Sequence, residues 1–148
     1  MMSQSWSTLS TPFEGLSGAQ LERVFGPPVV LTLEPGSSFT LSAAGDRTAW
    51  LVVSGALHGG GQEVRLMPEL AVPRREIAGL GRLIAADASE QSFAVGEQTV
   101  VVQLDGRRLE AGCRSGDAAA LAVFDAVVLL LSVDLRASNE ALQTLIQS

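Results

Sequence analysis

The chain has no lysine, a single histidine and a single cysteine among its 148 residues. Without lysine the phosphate loop G-x-x-x-x-G-K-[ST] cannot be built, so Gly59-Gly60-Gly61 reads as a hairpin turn. A clustered metal site needs three or more ligands, and His58 alone does not supply them. The same scarcity leaves room for only one imidazole-assisted nucleophile, and no G-x-S-x-G elbow accompanies it. Asp87 and Glu90 lie in a polar linker and read as solvated loop. Nothing in this set argues for an enzyme. Cys113 cannot form an internal disulfide, which suits a reducing cytoplasm, and it reads as a small packed residue ahead of the last helix.

A basic face is missing as well. The formal net charge is −6 and all ten basic residues are arginine, a poor composition for gripping a nucleic-acid duplex. The opening MMSQSWSTLS has neither the positive start nor the apolar run of a signal peptide. Residues Ala118 to Val133 are strongly apolar, yet the stretch is shorter than the ~20 residues a membrane span requires and contains Asp125. It reads as a buried helix, and no membrane association is expected. A hydrophobic fraction of 47% and a mean hydropathy of +0.29 exclude a disordered chain. The length suits one core and is too short for two, with residues 1–11 as an N-terminal tail and 12–148 as the domain.

The richest stretch is AAGDRTAWLVVSGAL, Ala43 to Leu57. Trp50, Leu51, Val52 and Val53 form a short β-prone run between the Gly45-Asp46 and Ser54-Gly55 turns, the pattern of a buried strand. Upstream, PFEGLSGAQLERVF predicts a short helix capped by Ser17, with Leu21, Val24 and Phe25 on one face. VVLTLEPGSSFTL then reads as strand, Glu34-Pro35-Gly36 turn and strand. Further strands are expected around Glu63 to Met67 and Phe93 to Leu104, with the tripeptide Glu76-Ile77-Ala78 between them.

The chain closes on a long helix, 117–147, with Ser115 or Asp117 as its cap. Leu121, Phe124, Val128, Leu131, Leu135, Ser138, Leu142 and Leu145 alternate spacings of three and four, the rhythm of a coiled-coil seam broken only at Ser138. Val123, Val127, Leu129 and Leu130 give the first half more apolar surface than one seam requires. One face is therefore expected to pack on the β-structure while the other, through Phe124, Val128, Leu131, Leu135, Leu142 and Leu145, meets a second copy. The alternative is that the whole stripe packs within the chain.

In this order, the words F-x-G-L-S from Phe13, P-G at Pro35, G-D at Gly45, S-G at Ser54 and E-I-A at Glu76 resemble the cyclic-nucleotide-binding domains of the catabolite activator and protein kinase A regulatory subunit type. The resemblance covers roughly Pro12 to Asn139. It implies a mainly β, double-stranded β-helix (jelly-roll) barrel with a short N-terminal helix and a long C-terminal one. It also implies a site in which a G-E-x-A turn and a distant arginine hold a cyclic phosphate, so cAMP, cGMP or another cyclic nucleotide becomes the ligand to consider. Glu76, Ile77 and Ala78 match that turn, but Arg75 stands where the family has glycine.

The family's arginine falls near Ser89 in this chain, and no basic residue lies between Arg82 and Arg107. Losing that charge-assisted bond is worth about 1.5 to 3 kcal/mol, roughly 10- to 100-fold in affinity. Arg82 is the best-placed substitute among Arg74, Arg75 and Arg82; its other reading is a solvated surface arginine. Glu76 likewise is either a ligand contact or an exposed carboxylate paired with Arg74 or Arg75.

The family's helix-turn-helix would fall beyond Ser148, so direct DNA binding is not expected. The expectation is a stand-alone regulatory or sensor module with weakened or altered nucleotide binding. It would be cytoplasmic and homodimeric, and would signal to an unknown protein partner through its last helix. The alternative is a ligand-free dimeric scaffold with a degenerate pocket.

Overall fold

A computed structural model describes residues 6, 13, 15–42, 47–59, 62–65, 77–84 and 90–147, with backbone alone for 62–65 and 133–147. The first helix, α1 (Gly18–Phe25), starts where the sequence places it. The Ser17 hydroxyl accepts from the Gln20 amide at 3.2 Å while the Ser17 amide donates to the Gln20 side chain at 2.8 Å, a reciprocal cap that satisfies two orphan donors. Leu21, Val24 and Phe25 are buried.

Among the described residues eight strands follow: β1 (Val30–Leu33), β2 (Ser38–Leu41), β3 (Thr48–Ser54), β4 (Ala56–Gly59), β5 (Gln62–Arg65), β6 (Ile77–Ala78), β7 (Gln91–Ala94) and β8 (Thr99–Asp105). They form two four-stranded sheets, ordered β1-β8-β3-β6 and β2-β7-β4-β5, and each pairing is antiparallel. Neighbours in sequence mostly belong to different sheets. The strands on either side of the Glu34-Pro35-Gly36 turn pair with β8 and β7 and not with each other. The Ser54-Gly55 turn likewise passes the chain from one sheet to the other. Among the described residues only β4 and β5 make a hairpin, with Gly59 opposite Gln62; the expected turn residues Gly60 and Gly61 lie outside the described residues, as does the Gly45-Asp46 turn.

The two sheets face one another across a cluster of Leu41, Val52, Leu57, Ala78, Phe93, Val95 and Val101, with Phe39 and Trp50 packed against it. The opposite face of the first sheet, through Ala49, Leu51, Val102 and Leu104, packs on the helices. Strands β3 and β8 are thus covered on both faces, which is why they read as unbroken apolar runs and not as alternating ones. Trp6, inside the segment expected as a tail, is only 2% exposed. Its indole nitrogen donates to the Gly26 carbonyl at 2.7 Å, and its ring lies 5.8 Å from that of Phe25.

Two details go beyond the sequence reading. The stretch from Phe93 to Leu104 belongs to two strands in different sheets, β7 and β8. The closing helix is also preceded by a separate one, α2 (Gly106–Arg114), capped by the Asp105 carboxylate, which accepts from the Arg107 and Arg108 amides. The last helix, α3 (Ala118–Gln147), begins one residue later than read, with the Asp117 carboxylate accepting from the Ala119 amide at 2.9 Å.

Candidate functional site

The structure describes two residues of the tripeptide singled out in the sequence. Ile77 and Ala78 form β6, a two-residue edge paired to Leu51 and Trp50 of β3. Glu76, Arg74, Arg75 and Ser89 lie outside the described residues. After β6 the chain turns at Gly79, whose φ of +75° lies in the left-handed region. A Cβ there would stand 2.6 Å from the Leu41 side chain, so both backbone and space call for glycine. A 3₁₀ turn, Leu80–Leu83, follows.

Arg82 sits in this turn and is completely buried, so the reading of a solvated surface arginine is overturned. One guanidinium nitrogen donates to the Ser42 carbonyl at 2.6 Å, at the end of β2. That bond ties the guanidinium to the backbone just past β2. Burying an arginine is tolerable only where hydrogen bonds replace its water, and this bond supplies part of that replacement.

A second arginine, which the sequence reading passed over, organises the back of the turn. Arg47, just ahead of β3, donates through Nε to the Arg82 carbonyl at 2.8 Å and through Nη2 to the Leu83 carbonyl at 3.2 Å. Its Nη1 meets the Glu110 carboxylate of α2 at 3.0 Å. The other oxygen of Glu110 accepts from Arg114 at 2.8 Å. The backbone at the same point closes the junction, with the Gly106 amide donating to the Arg47 carbonyl at 2.8 Å. A Cβ at Gly106 would stand 2.6 Å from both the Arg47 and Arg82 carbonyl oxygens, which is why α2 can start so close to the turn. The only sequence signal for this cluster was an arginine next to an expected turn, which is too common to single out.

Beside the cluster lies a groove of about 290 Å³ lined by Leu83, Ile84, Leu109, Cys113 and Phe124 together with the Arg47, Glu110 and Arg114 side chains. Burial and the carboxylates of Asp125 and Asp117 push the Cys113 thiol up, away from thiolate reactivity. Among the described residues no cluster of three or more histidine, cysteine or carboxylate side chains could hold a metal ion. No described helix is long and apolar enough to cross a membrane.

The stripe on α3 is divided. Val123 and Val127 are buried against the sheet and neighbouring helices. Leu121, Phe124 and Val128 are 43%, 37% and 40% exposed, and Leu129 is 66% exposed. Leu131 is half-buried against the intramolecular core. Leu135, Leu142 and Leu145 continue the helix, their side chains lying outside the described residues.

Two facing four-stranded sheets, a left-handed glycine turn after a short edge strand and a long terminal helix make up the fold. No protein-family model and no curated protein matches the sequence. Solved structures do. The chain is similar to the catabolite activator protein of Thermus thermophilus, with 22% identity over 91% of this chain and 63% of that one and a TM-score of 0.63. It is similar to a cyclic nucleotide-binding domain from Methylobacillus flagellatus, with 12% identity over 93% of this chain and 78% of that one and a TM-score of 0.65. It is also similar to the sensor domain of the transcriptional regulator DNR from Pseudomonas aeruginosa, with 17% identity over 82% and 80% of the two chains and a TM-score of 0.52. The chain spans 63% of the length of the Thermus protein. The chain shares its fold with these solved structures.

Proposed function

We propose that this domain is a regulatory sensor module of the cyclic-nucleotide-binding type whose anion-holding chemistry has diverged, with α3 as its output. The observation that supports the reading is the fate of Arg82, the best-placed substitute for the family's missing arginine: it is buried, and one of its guanidinium nitrogens is bonded to the Ser42 carbonyl. Glu76, Ile77, Ala78 and Arg82 remain the candidate contacts for cAMP, cGMP or another cyclic nucleotide, bound weakly or in an altered mode. The module acts by binding and conformational change, not by catalysis, in the cytoplasm, on a protein partner and without gripping DNA itself, in line with its acidic charge.

A homodimer through α3 belongs to the same reading, supported by the row of exposed Leu121, Phe124 and Val128. Phe124→Asp combined with Val128→Asp should yield a folded monomer by analytical ultracentrifugation; an unchanged dimer would dismiss the seam.

Thermal denaturation with millimolar cAMP, cGMP and cyclic dinucleotides tests the sensor. A ligand at 100 times its Kd stabilises the fold by about 2.7 kcal/mol, a plainly visible rise in Tm. Flat curves for all of them would favour a second reading, a dimeric scaffold with a degenerate pocket. The packing of Phe39 edge-on to Trp50 at 5.3 Å, beside the cluster between the sheets, speaks for that version.

A further inference from the structure

We propose that Arg47 is a mechanical coupler that makes the 3₁₀ turn Leu80–Leu83 and helix α2 move as one body, so that a displacement of the turn reaches α3 instead of dissipating locally. The inference deepens the sensor reading and rests on it for its biological meaning, although the coupling itself needs no ligand.

The end of a short helical turn leaves carbonyl oxygens without helical partners. Here the Arg82 and Leu83 carbonyls are taken by two nitrogens of one guanidinium. The third nitrogen of that planar fork is held by Glu110 on α2. A guanidinium is rigid and planar, so its three bonds cannot be kept while the turn and α2 shift relative to one another. Its side chain is 12% exposed, so water cannot readily replace a bond that breaks, and a buried carbonyl left unmade is costly. The Arg47 backbone adds a fourth link through its carbonyl to the Gly106 amide.

What lies next to this tie completes the argument. The 290 Å³ groove is walled by Leu83 and Ile84 from the turn, Leu109 and Cys113 from α2, and Phe124 from α3. Side chains of all three elements border free volume while a single polar cluster spans two of them. Packed interiors resist small shifts, so a groove at this point is where the turn has room to move and a tie is where the movement is passed on. Glu110 continues the line along α2 through Arg114, and α2 packs against α3 within the helical cluster through Leu109, Ala120 and Val123.

The test is hydrogen exchange read by mass spectrometry on the unliganded protein. A carboxylate cannot bond a carbonyl, so Glu110 acts on the turn's carbonyls by holding Arg47. The turn's own amides are those of Arg82 and Ile84, bonded to the Gly79 and Gly81 carbonyls. Glu110→Ala should speed exchange at these amides by more than about threefold while leaving β8 unchanged, the mark of local and not global opening. Arg47→Met should do the same more strongly, and in the double variant the effect of Glu110→Ala should vanish. Arg114→Met, which loses only the exposed partner of Glu110, should leave the turn as it is. Less than a threefold change in Glu110→Ala, or an equal rise at β8, overturns the coupler. Silence toward nucleotides in thermal denaturation would sink the sensor reading and leave this result standing, so the two failures are separable.

Discussion

Two arginines tie the helical layer down, and they do it under opposite conditions. Arg47 holds the foot of α2 with its side chain 12% exposed, meeting two carbonyls and a carboxylate. Arg23 of α1 holds the head of α3 with its side chain 60% exposed, in a two-pronged pair with Asp117 at 2.9 and 3.0 Å. The chemistry is nearly the same and the energetic weight is not. In water an ion pair competes with hydration and is screened by salt; in a shielded junction the same bonds have no substitute. The bonds between the turn and α2 are therefore the ones water and salt replace least, and the Arg23–Asp117 pair the one they weaken most.

The comparison can be broken or sharpened by experiment. The largest effect should come from the apolar packing that shields the Arg47 cluster. Leu109, fully buried on α2 and lining the groove, should cost about 2 to 5 kcal/mol when replaced by Ala, the lower end applying if the groove collapses onto the gap. Chemical denaturation would measure it, and a loss under about 1 kcal/mol would show that the α2 junction is not packed as described.

Arg47→Met comes next. It keeps the apolar stem but leaves the Arg82 and Leu83 carbonyls without a donor, at about 1 to 3 kcal/mol. Raising salt from low to 1 M should change the difference between wild type and variant little, because shielded bonds are poorly screened. A strong salt dependence would place Arg47 in the same regime as Arg23 and erase the contrast.

The smallest effect belongs to the Arg23–Asp117 pair, and it should depend on pH. The hydrogen bond from Arg23 and the amide of Ala119 hold the Asp117 carboxyl below its ordinary value. A carboxyl lowered in the folded state contributes stability that is fully present above its unfolded value, near about 4, and lost as the pH falls through the folded value. Asp117→Asn should therefore be slightly less stable than wild type at neutral pH and low salt, with the gap closing in acid. A gap that persists unchanged at pH 2 would mean the side chain acts by capping alone.

Much of this arrangement was legible in the sequence where the signal is local. Ser17 ahead of Leu21, Val24 and Phe25 announced α1, because a cap and an apolar face are signals carried within a turn or two of the chain. Trp50 to Val53 announced a strand buried on both faces. Ile77 and Ala78, read as part of a ligand-holding turn, form the two-residue strand β6, with Glu76 outside the described residues. What stayed hidden was non-local. Nothing near Arg47 in sequence says that its guanidinium reaches residues 82, 83 and 110, and nothing near Arg82 says that it turns inward to Ser42. Helix α2 escaped for a related reason: GRRLEAGCR is polar and short, with Leu109 its one fully buried large side chain, so its periodicity is faint.

By itself the sequence determined what short-range chemistry controls: the caps, the turns, the apolar runs, the acidic charge and the scarcity of histidine and cysteine. Tertiary structure alone decided which sheet each strand joined, which part of the α3 stripe was covered, and whether an arginine faced water, a ligand or a carbonyl. The physical reason is range. Backbone preference and periodicity act over a few residues, whereas the partner of a buried charge is chosen by whichever distant element arrives beside it when the core closes.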